Sequence, residues 1–359
     1  MKKILLLAIA LILVIPSSIK GIDTSSECMV VMDMDSKQML YSKNPHKPRL
    51  IASITKIMTA IIAIESNKLD DIVIVDDIIK EAIGSNIYIE IGEELTIRDL
   101  LYALMLRSGN DAALVISKYI GTSVDSFVEM MNKKAEQLGM NNTIFSNPHG
   151  LDNVNKNLST AYDMALLSSY ASSNIEYMKI VGTTKYTTKS NYKSYVWYNK
   201  NKLLKNKYIT GGKTGFTKLA RRTLVSTGSK NNVNITIVTL NDNNDFKNHT
   251  MMYDYVFDKY SNYQLLDKDN FIVKNDTYYK DKLYINNDVY YSLTKDELKN
   301  IKSIIKLEKL TNYQDNDKVG VNNMYIGSKL IHSEDIFINI KKVEKLNFID
   351  KIIRWFKGD

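Results

Sequence analysis

Apolar and polar positions change their spacing several times along the chain, and each change marks an element. Residues 28–42 hold two apolar runs on either side of Asp35-Ser36-Lys37, the pattern of a strand hairpin. From Ser53 to about Ser66, Ile54, Ile57, Met58, Ile61, Ile62 and Ile64 leave almost no polar face. This predicts a buried helix opened by Ser53. Residues 97–106 and 110–120 read as two helices broken at Ser108-Gly109, and another spans about 123–138 to a stop at Gly139. A long polar loop at 140–160 precedes a helix from Ala161 to Ser172. From Lys185 the spacing becomes that of strands. Tyr186 to Tyr198 is rich in Tyr, Thr and Ser, Lys213–Thr217 and Thr223–Gly228 flank a turn, and Val233 to Leu240 alternates. His249 to Tyr260 reads as a closing helix. No regular βαβ alternation appears, so the expected class is α/β in the α+β sense, with an antiparallel sheet and a helical subdomain.

After about Gln264 short strands rich in Ile, Val and Tyr are broken by Asn-Asp turns, which predicts a small all-β domain over 265–342. The two ends differ from both domains. Lys2-Lys3 followed by the apolar run Ile4 to Ile15 and small residues up to Gly21 reads as a secretory signal peptide. At the other end Phe348, Ile349, Ile352, Ile353 and Phe356 fall on one helical stripe beside Lys351, Arg354 and Lys357. That segment is too short and too charged to span a bilayer, and it predicts an amphipathic helix lying on an anionic membrane surface. The expected organisation is therefore signal peptide 1–21, main domain 22–264, β-rich domain 265–342 and anchor 343–359. The expected location is outside the cytoplasmic membrane and peripheral on its outer face.

Composition narrows the chemistry. Cys28 is the single cysteine of the 359 residues, so no intramolecular disulfide can form. His46, His149, His249 and His332 are scattered, with no metal-ligand spacing. The net charge of +8 comes from lysines spread along the chain. With no aromatic-basic recognition pattern, nucleic acid is not an expected partner.

Three short motifs carry candidate chemistry: Ser53-Ile54-Thr55-Lys56, Ser108-Gly109-Asn110 and Lys213-Thr214-Gly215. The first spacing is cheap, since it recurs at Ser17/Lys20, Ser190/Lys193, Ser292/Lys295 and Ser303/Lys306, whereas Lys213-Thr214-Gly215 occurs once. Order and context give the set its weight. Three positions apart on a helix, Ser53 and Lys56 share a face. A serine hydroxyl needs an adjacent base, and a lysine can be one only when neutral. Burial and a second cation, for which Lys213 is the candidate, would both lower the pKa of Lys56. Ser108 is placed to relay a proton to a leaving amine, and Asn110 to hydrogen-bond Lys56 or a substrate amide. Lys213 and Thr214 suit a carboxylate on an edge strand, and Gly215 clears room for substrate backbone. The backbone N–H groups of Phe216 and Ser53 are candidates for an oxyanion hole. A phosphate loop ending at Thr214 would need a glycine where Lys207 stands.

The three motifs in this order, with Asn147-Pro148-His149-Gly150-Leu151-Asp152 between the second and third, resemble the low-molecular-mass penicillin-binding proteins of the D-alanyl-D-alanine carboxypeptidase family, peptidase family S11. The resemblance covers about 28–343. It implies a serine β-lactamase/transpeptidase-like domain followed by a β-rich one. It also implies a serine–lysine hydrolase that removes the terminal D-Ala of a peptidoglycan stem pentapeptide, and β-lactams as covalent inhibitors. Ser53, Lys56 and Ser108 would be catalytic; Asn110, Lys213, Thr214, Gly215 and Phe216 would bind substrate. No metal or organic cofactor is implied, and His149 takes an architectural place. Two positions depart from the family pattern. Ala220-Arg221-Arg222 stands where relatives continue Ala-Gly, and Asn234 aligns where they often carry a carboxylate-binding Arg. Either Arg221 or Arg222 substitutes, or carboxylate recognition is weaker. Two alternatives stay open: a β-lactamase, disfavoured because Asp152 and Asp163 are the only acids between Gly139 and Ser172, and a wall-binding homologue of low turnover.

Overall fold

The computed structural model describes residues 22–340, apart from 153–155 and 275. The expected signal peptide and C-terminal helix lie outside the described residues. Two compact units are present: Met1–Lys230 with Asn234–Tyr255, and Asn231–Val233 with Val256–Asp359.

The first unit is built, in chain order, from β1 (Cys28–Asp33), β2 (Met39–Lys43), α1 (Lys56–Glu65), α2 (Ile97–Tyr102), α3 (Asn110–Gly121) and α4 (Val124–Gln137). There follow α5 (Ala161–Ser172), α6 (Ile175–Gly182), β3 (Lys185–Lys189), β4 (Ser194–Tyr198), β5 (Ile209–Thr217), β6 (Arg221–Lys230), β7 (Val233–Leu240) and α7 (Asp245–Lys259). The main sheet has the order β2-β1-β7-β6-β5, with β1 antiparallel to both β2 and β7 and β6 antiparallel to β5. All six residues of β1 are buried, as the unbroken run Cys28-Met29-Val30-Val31-Met32 requires of a central strand. β5 is one of the two edge strands, β2 being the other.

Helix α1 has no exposed residue apart from its half-buried last one, Glu65. It packs against α3, α4, α5 and α6. The missing polar face in its sequence is thereby explained. It does not begin at Ser53, however. Ala52–Thr55 form a 3-10 turn, and the α-helix starts only at Lys56. The predicted break at Ser108 is present in an unexpected form. α2, capped by Thr96 and Asp99, runs into a π-helical turn, Ala103–Arg107, that ends at Ser108 in the left-handed region with φ 67°. α7 begins four residues before His249, because its first turn (Asp245, Phe246, Lys247, Asn248) is mostly polar and hid from the apolar spacing.

The second unit is β-rich rather than all-β. A strand Tyr260–Leu266 pairs with Val289–Thr294. A four-stranded sheet runs in the order Leu283–Tyr284, Lys329–Ile338, Lys318–Ile326, Ile301–Leu307. Phe271, Tyr279, Leu283, Ile285, Val319, Ile336 and Ile338 form its core. The one turn of helix at Lys295–Lys299 is fixed by a capping box between Thr294 and Glu297.

Candidate active site

The three motifs meet in the first unit. Lys56 opens α1 with none of its surface exposed. Its Nζ lies 3.2 Å from Ser53 Oγ, 2.7 Å from Asn110 Oδ1 and 2.6 Å from the His149 carbonyl oxygen. Desolvation holds the amine well below its usual pKa, and the positive charges of Lys213 and Lys200 lower it further. The first two causes are the ones the sequence suggested. Lys200 was not foreseen, since it stands in no motif and its effect is one of place alone.

The second pair is Lys213 and Ser108. Lys213 Nζ donates to Ser108 Oγ at 3.1 Å and to the Thr214 carbonyl at 2.8 Å. Both side chains are buried. Burial, with a contribution from Lys200, brings the Lys213 pKa down to about 7. The left-handed backbone at Ser108 turns its hydroxyl toward Lys213, while Asn110 heads α3 and faces Lys56. Asp111, the next residue, accepts from the backbone N–H groups of Ile87, Tyr88 and Ala112. It thereby fixes the 82–90 segment, whose Ile83 carbonyl takes the Asn110 amide.

Backbone shape sets the position of Ser53. Ala52, immediately before Ser53, has φ 50°, which is costly for a residue with a Cβ. The turn is held by Thr55 Oγ1 donating to the Ala52 carbonyl at 2.8 Å and by Thr223 Oγ1 donating to the Ile51 carbonyl at 2.9 Å. Gly150 packs beneath it at φ +92°, where a Cβ would lie 1.9 Å from the Ala52 oxygen. Gly215 clears space for protein rather than for substrate alone. A Cβ there would meet Thr223 Oγ1 at 2.4 Å and the Ser53 nitrogen at 3.0 Å. Strand β5 thus passes close beside the backbone N–H of Ser53.

The loop containing His149 is architectural. Thr59 Oγ1 donates to the Pro148 carbonyl at 2.6 Å, and Asn157 Nδ2 donates to Thr55 Oγ1 and the Asn147 carbonyl, both at 2.9 Å. The His149 ring accepts at Nδ1 from the Leu151 N–H. Burial first, and then the charge of Lys56, lower its pKa to about 3, so the ring is neutral. Asn157 was missed because a lone asparagine in a polar loop carries no signal.

The positions that depart from the pattern separate. Asn234 is not near Lys213. It accepts from Ser229 Oγ and donates to Asp35, beside the β1–β2 turn at the other end of the sheet. The alignment of Asn234 with a carboxylate subsite is therefore wrong. Arg222 lies opposite Phe216 in the ladder, donates to Asp245 at 2.7 Å and covers the ring of Phe246. Arg221 is opposite Thr217 and exposed. Thr217 Oγ1 in turn donates to Asp152 at 2.5 Å. The Phe216 side chain is largely exposed.

A family model described as D-alanyl-D-alanine carboxypeptidase matches residues 16–244. D-alanyl-D-alanine carboxypeptidase DacF of Bacillus subtilis is 32% identical over 255 residues, 68% of this chain and 65% of that protein. D-alanyl-D-alanine carboxypeptidase DacD of Escherichia coli is 35% identical over 230 residues, 59% of this chain and 57% of that protein. The matched stretch thus spans less than two thirds of the length of these curated relatives. Among solved structures, penicillin binding protein 5 from Haemophilus influenzae superposes with a TM-score of 0.77 at 25% identity, covering 90% of this chain and 98% of that one.

Proposed function

The chain belongs to the D-alanyl-D-alanine carboxypeptidase family, peptidase family S11, and on that premise we propose that it is a serine-type D-Ala-D-Ala carboxypeptidase of the cell wall. The observation that carries this reading is the setting of Lys56. A neutral amine has two N–H groups and one lone pair. The Asn110 and His149 oxygens, at 2.7 and 2.6 Å, take the two N–H groups. The lone pair is left toward Ser53 Oγ at 3.2 Å, which is the arrangement a general base needs.

Ser53 attacks the carbonyl of the penultimate D-Ala, and its proton passes to Lys56. The oxyanion that forms is met by the backbone N–H groups of Ser53 and Phe216. Ser108, hydrogen-bonded to Lys213, passes its proton to the departing amine and recovers one from the Lys56 ammonium, so the C–N bond breaks, D-Ala leaves and Lys56 is neutral again. Lys213 and Thr214 hold the terminal carboxylate; a substrate carboxylate beside Lys213 favours its charged form, which burial and the charge of Lys200 leave half populated near neutral pH. Water then attacks the ester on Ser53 while Lys56 takes its proton, and Lys56 returns that proton to Ser53 Oγ as the ester C–O bond breaks and the shortened peptide leaves. β-Lactams enter the same sequence by opening their ring on Ser53.

The substrate is the peptidoglycan stem pentapeptide. The protein works outside the cytoplasmic membrane, with residues 22–264 as the catalytic domain and 343–359 as a surface anchor. No helix among the described residues is long and apolar enough to cross a membrane.

Release of D-Ala from a stem pentapeptide tests the activity. Mass spectrometry of the penicillin adduct tests the site, with the added mass expected on Ser53 and absent in Ser53→Ala. An adduct on another serine overturns the assignment.

A further inference from the structure

The four-stranded sheet of the second unit carries its core on one face. Val319, Ile336 and Ile338 look into that core, and Ile305 and Leu307 pack against it. Alternation along the strands puts the intervening residues on the other face. The ladder sets them in rows: Lys302, Tyr325 and Leu330; Ile304, Asn323 and Ser333; Lys306, Val321 and Asp335. All are at least partly exposed, Ile304 at 47% and Leu330 at 49%. Tyr284 and Phe337, with ring centroids 5.8 Å apart, close one end of the face.

Charge on this face has one sign. Asp335 is the acid in these rows, and Lys318 holds it at 2.7 Å. Lys302 and Lys306 form no ion pair among the described residues, so two positive charges remain, one on each side of Ile304. The mixture selects the partner. A soluble polyanion would meet the lysines and offer nothing to Ile304 and Leu330. An anionic bilayer meets both. Its phosphates take the ammonium groups, the lysine stems lie along apolar surface, and its boundary region favours tyrosine rings.

The path of the chain points the same way. Past the strand Lys329–Ile338, the Asn339 N–H donates to the Lys282 carbonyl at 2.8 Å and the Ile340 N–H to the Asp315 carboxylate at 2.8 Å. The chain therefore leaves at the Tyr284–Phe337 end of this face. Residues 341–347 then reach at most about 29 Å before Phe348. The face itself is roughly 20 Å long, so the apolar stripe beginning at Phe348 can lie beside it in one plane.

We propose that this sheet face is a second contact with an anionic membrane surface, lying beside the 343–359 segment and fixing which way the second unit meets the lipid. The proposal rests on the reading of 343–359 as a surface anchor. One amphipathic segment leaves the attached unit free to swing, whereas two contacts in a plane do not. Two lysines add about 5-fold each in affinity, too little to hold the protein once the anchor is gone.

The full chain is titrated with vesicles of phosphatidylglycerol and phosphatidylcholine in equal parts. Lys302→Gln/Lys306→Gln is expected to weaken binding about 25-fold, and Ile304→Ser/Leu330→Ser roughly 10-fold. Both should keep the wild-type circular dichroism and penicillin labelling of Ser53. Cys28 is buried, so a bimane attached through Ser333→Cys reports on the face, and its emission should shift to the blue on bound vesicles. Wild-type affinity in both double variants, or an unchanged bimane spectrum, overturns the proposal and leaves the anchor standing. Binding that survives removal of 346–359 and is lost when the two lysines are also changed supports the face and overturns the anchor. No binding by the full chain overturns both. If the lysine variant loses binding to soluble polyphosphate and keeps its affinity for vesicles, the face is a polyanion site and the proposal falls.

Discussion

Lys213 Nζ donates to Ser108 Oγ at 3.1 Å, joining an edge strand to a left-handed helix break 105 positions earlier in the chain. Both groups are buried, so the bond forms where a charge is expensive. The lysine is accordingly half-neutral near pH 7.

Stability should rise with pH because of Lys213. Its folded pKa of about 7 lies below the unfolded value near 10.5, so between these values the unfolded chain binds more protons. Stability is therefore gained as pH climbs from about 7 toward 10.5 and lost as it falls. Lys213→Met should flatten this dependence and raise Tm at pH 7 by at least about 2 °C, roughly 1 kcal/mol in a domain of this size. Parallel Tm-versus-pH curves for the two proteins would refute it.

Lys56 must be able to lose its proton. Lys56→Ala should slow penicillin acylation by at least ~100-fold. Lys56→Arg should be equally slow, because a guanidinium stays protonated. Stopped-flow acylation rates decide the point, and an arginine variant within tenfold of wild type removes the base role.

Gly150→Ala forces a Cβ onto the Ala52 carbonyl at a backbone angle unsuited to L-residues. A loss of about 1–3 kcal/mol is expected. Acylation should slow as well, because the displaced turn carries Ser53. Urea midpoints and labelling rates at wild-type values would show that the loop yields without consequence.

The two arginines should part company. Arg222 is committed to Asp245, so Arg222→Ala should leave KM for a carboxylate substrate within about twofold while costing roughly 1–3 kcal/mol of stability, because the Asp245 carboxylate left behind is buried. Arg221, on the ladder position opposite Thr217, is exposed and forms no ion pair among the described residues. Arg221→Ala should raise KM for the carboxylate peptide and not for its amide. Equal effects on both substrates would take carboxylate recognition away from Arg221.

Removal of 346–359 should release the protein from liposomes containing anionic lipid while activity on a soluble peptide stays the same. Continued sedimentation of the shortened protein, or no binding by the full chain, would end the anchor hypothesis.

Local chemistry was legible wherever it was local. The apolar run of α1, the break at Ser108 and the uniqueness of Lys213-Thr214-Gly215 can each be read from neighbouring residues. Contacts set by the fold could not be read. Lys200 acts on Lys56 only because residues 144 positions apart come together, and Asn157 supports Thr55 across 102. Asn234 was misplaced for a related reason. Alignment by count along a strand ignores which end of the sheet that strand begins from. The 3-10 turn at Ala52 was hidden because its angles are imposed by Gly150 and Thr223, both far away in sequence.

The grip on Lys56 joins positions 53, 110 and 149, so on the proposed mechanism the reactivity of Ser53 is a property of the assembled chain. Ser53 beside a solvated, charged lysine is an ordinary alcohol. An extended chain in transit is therefore inert toward amides and β-lactams alike. Labelled penicillin, by the same logic, counts natively folded molecules and passes over all the others.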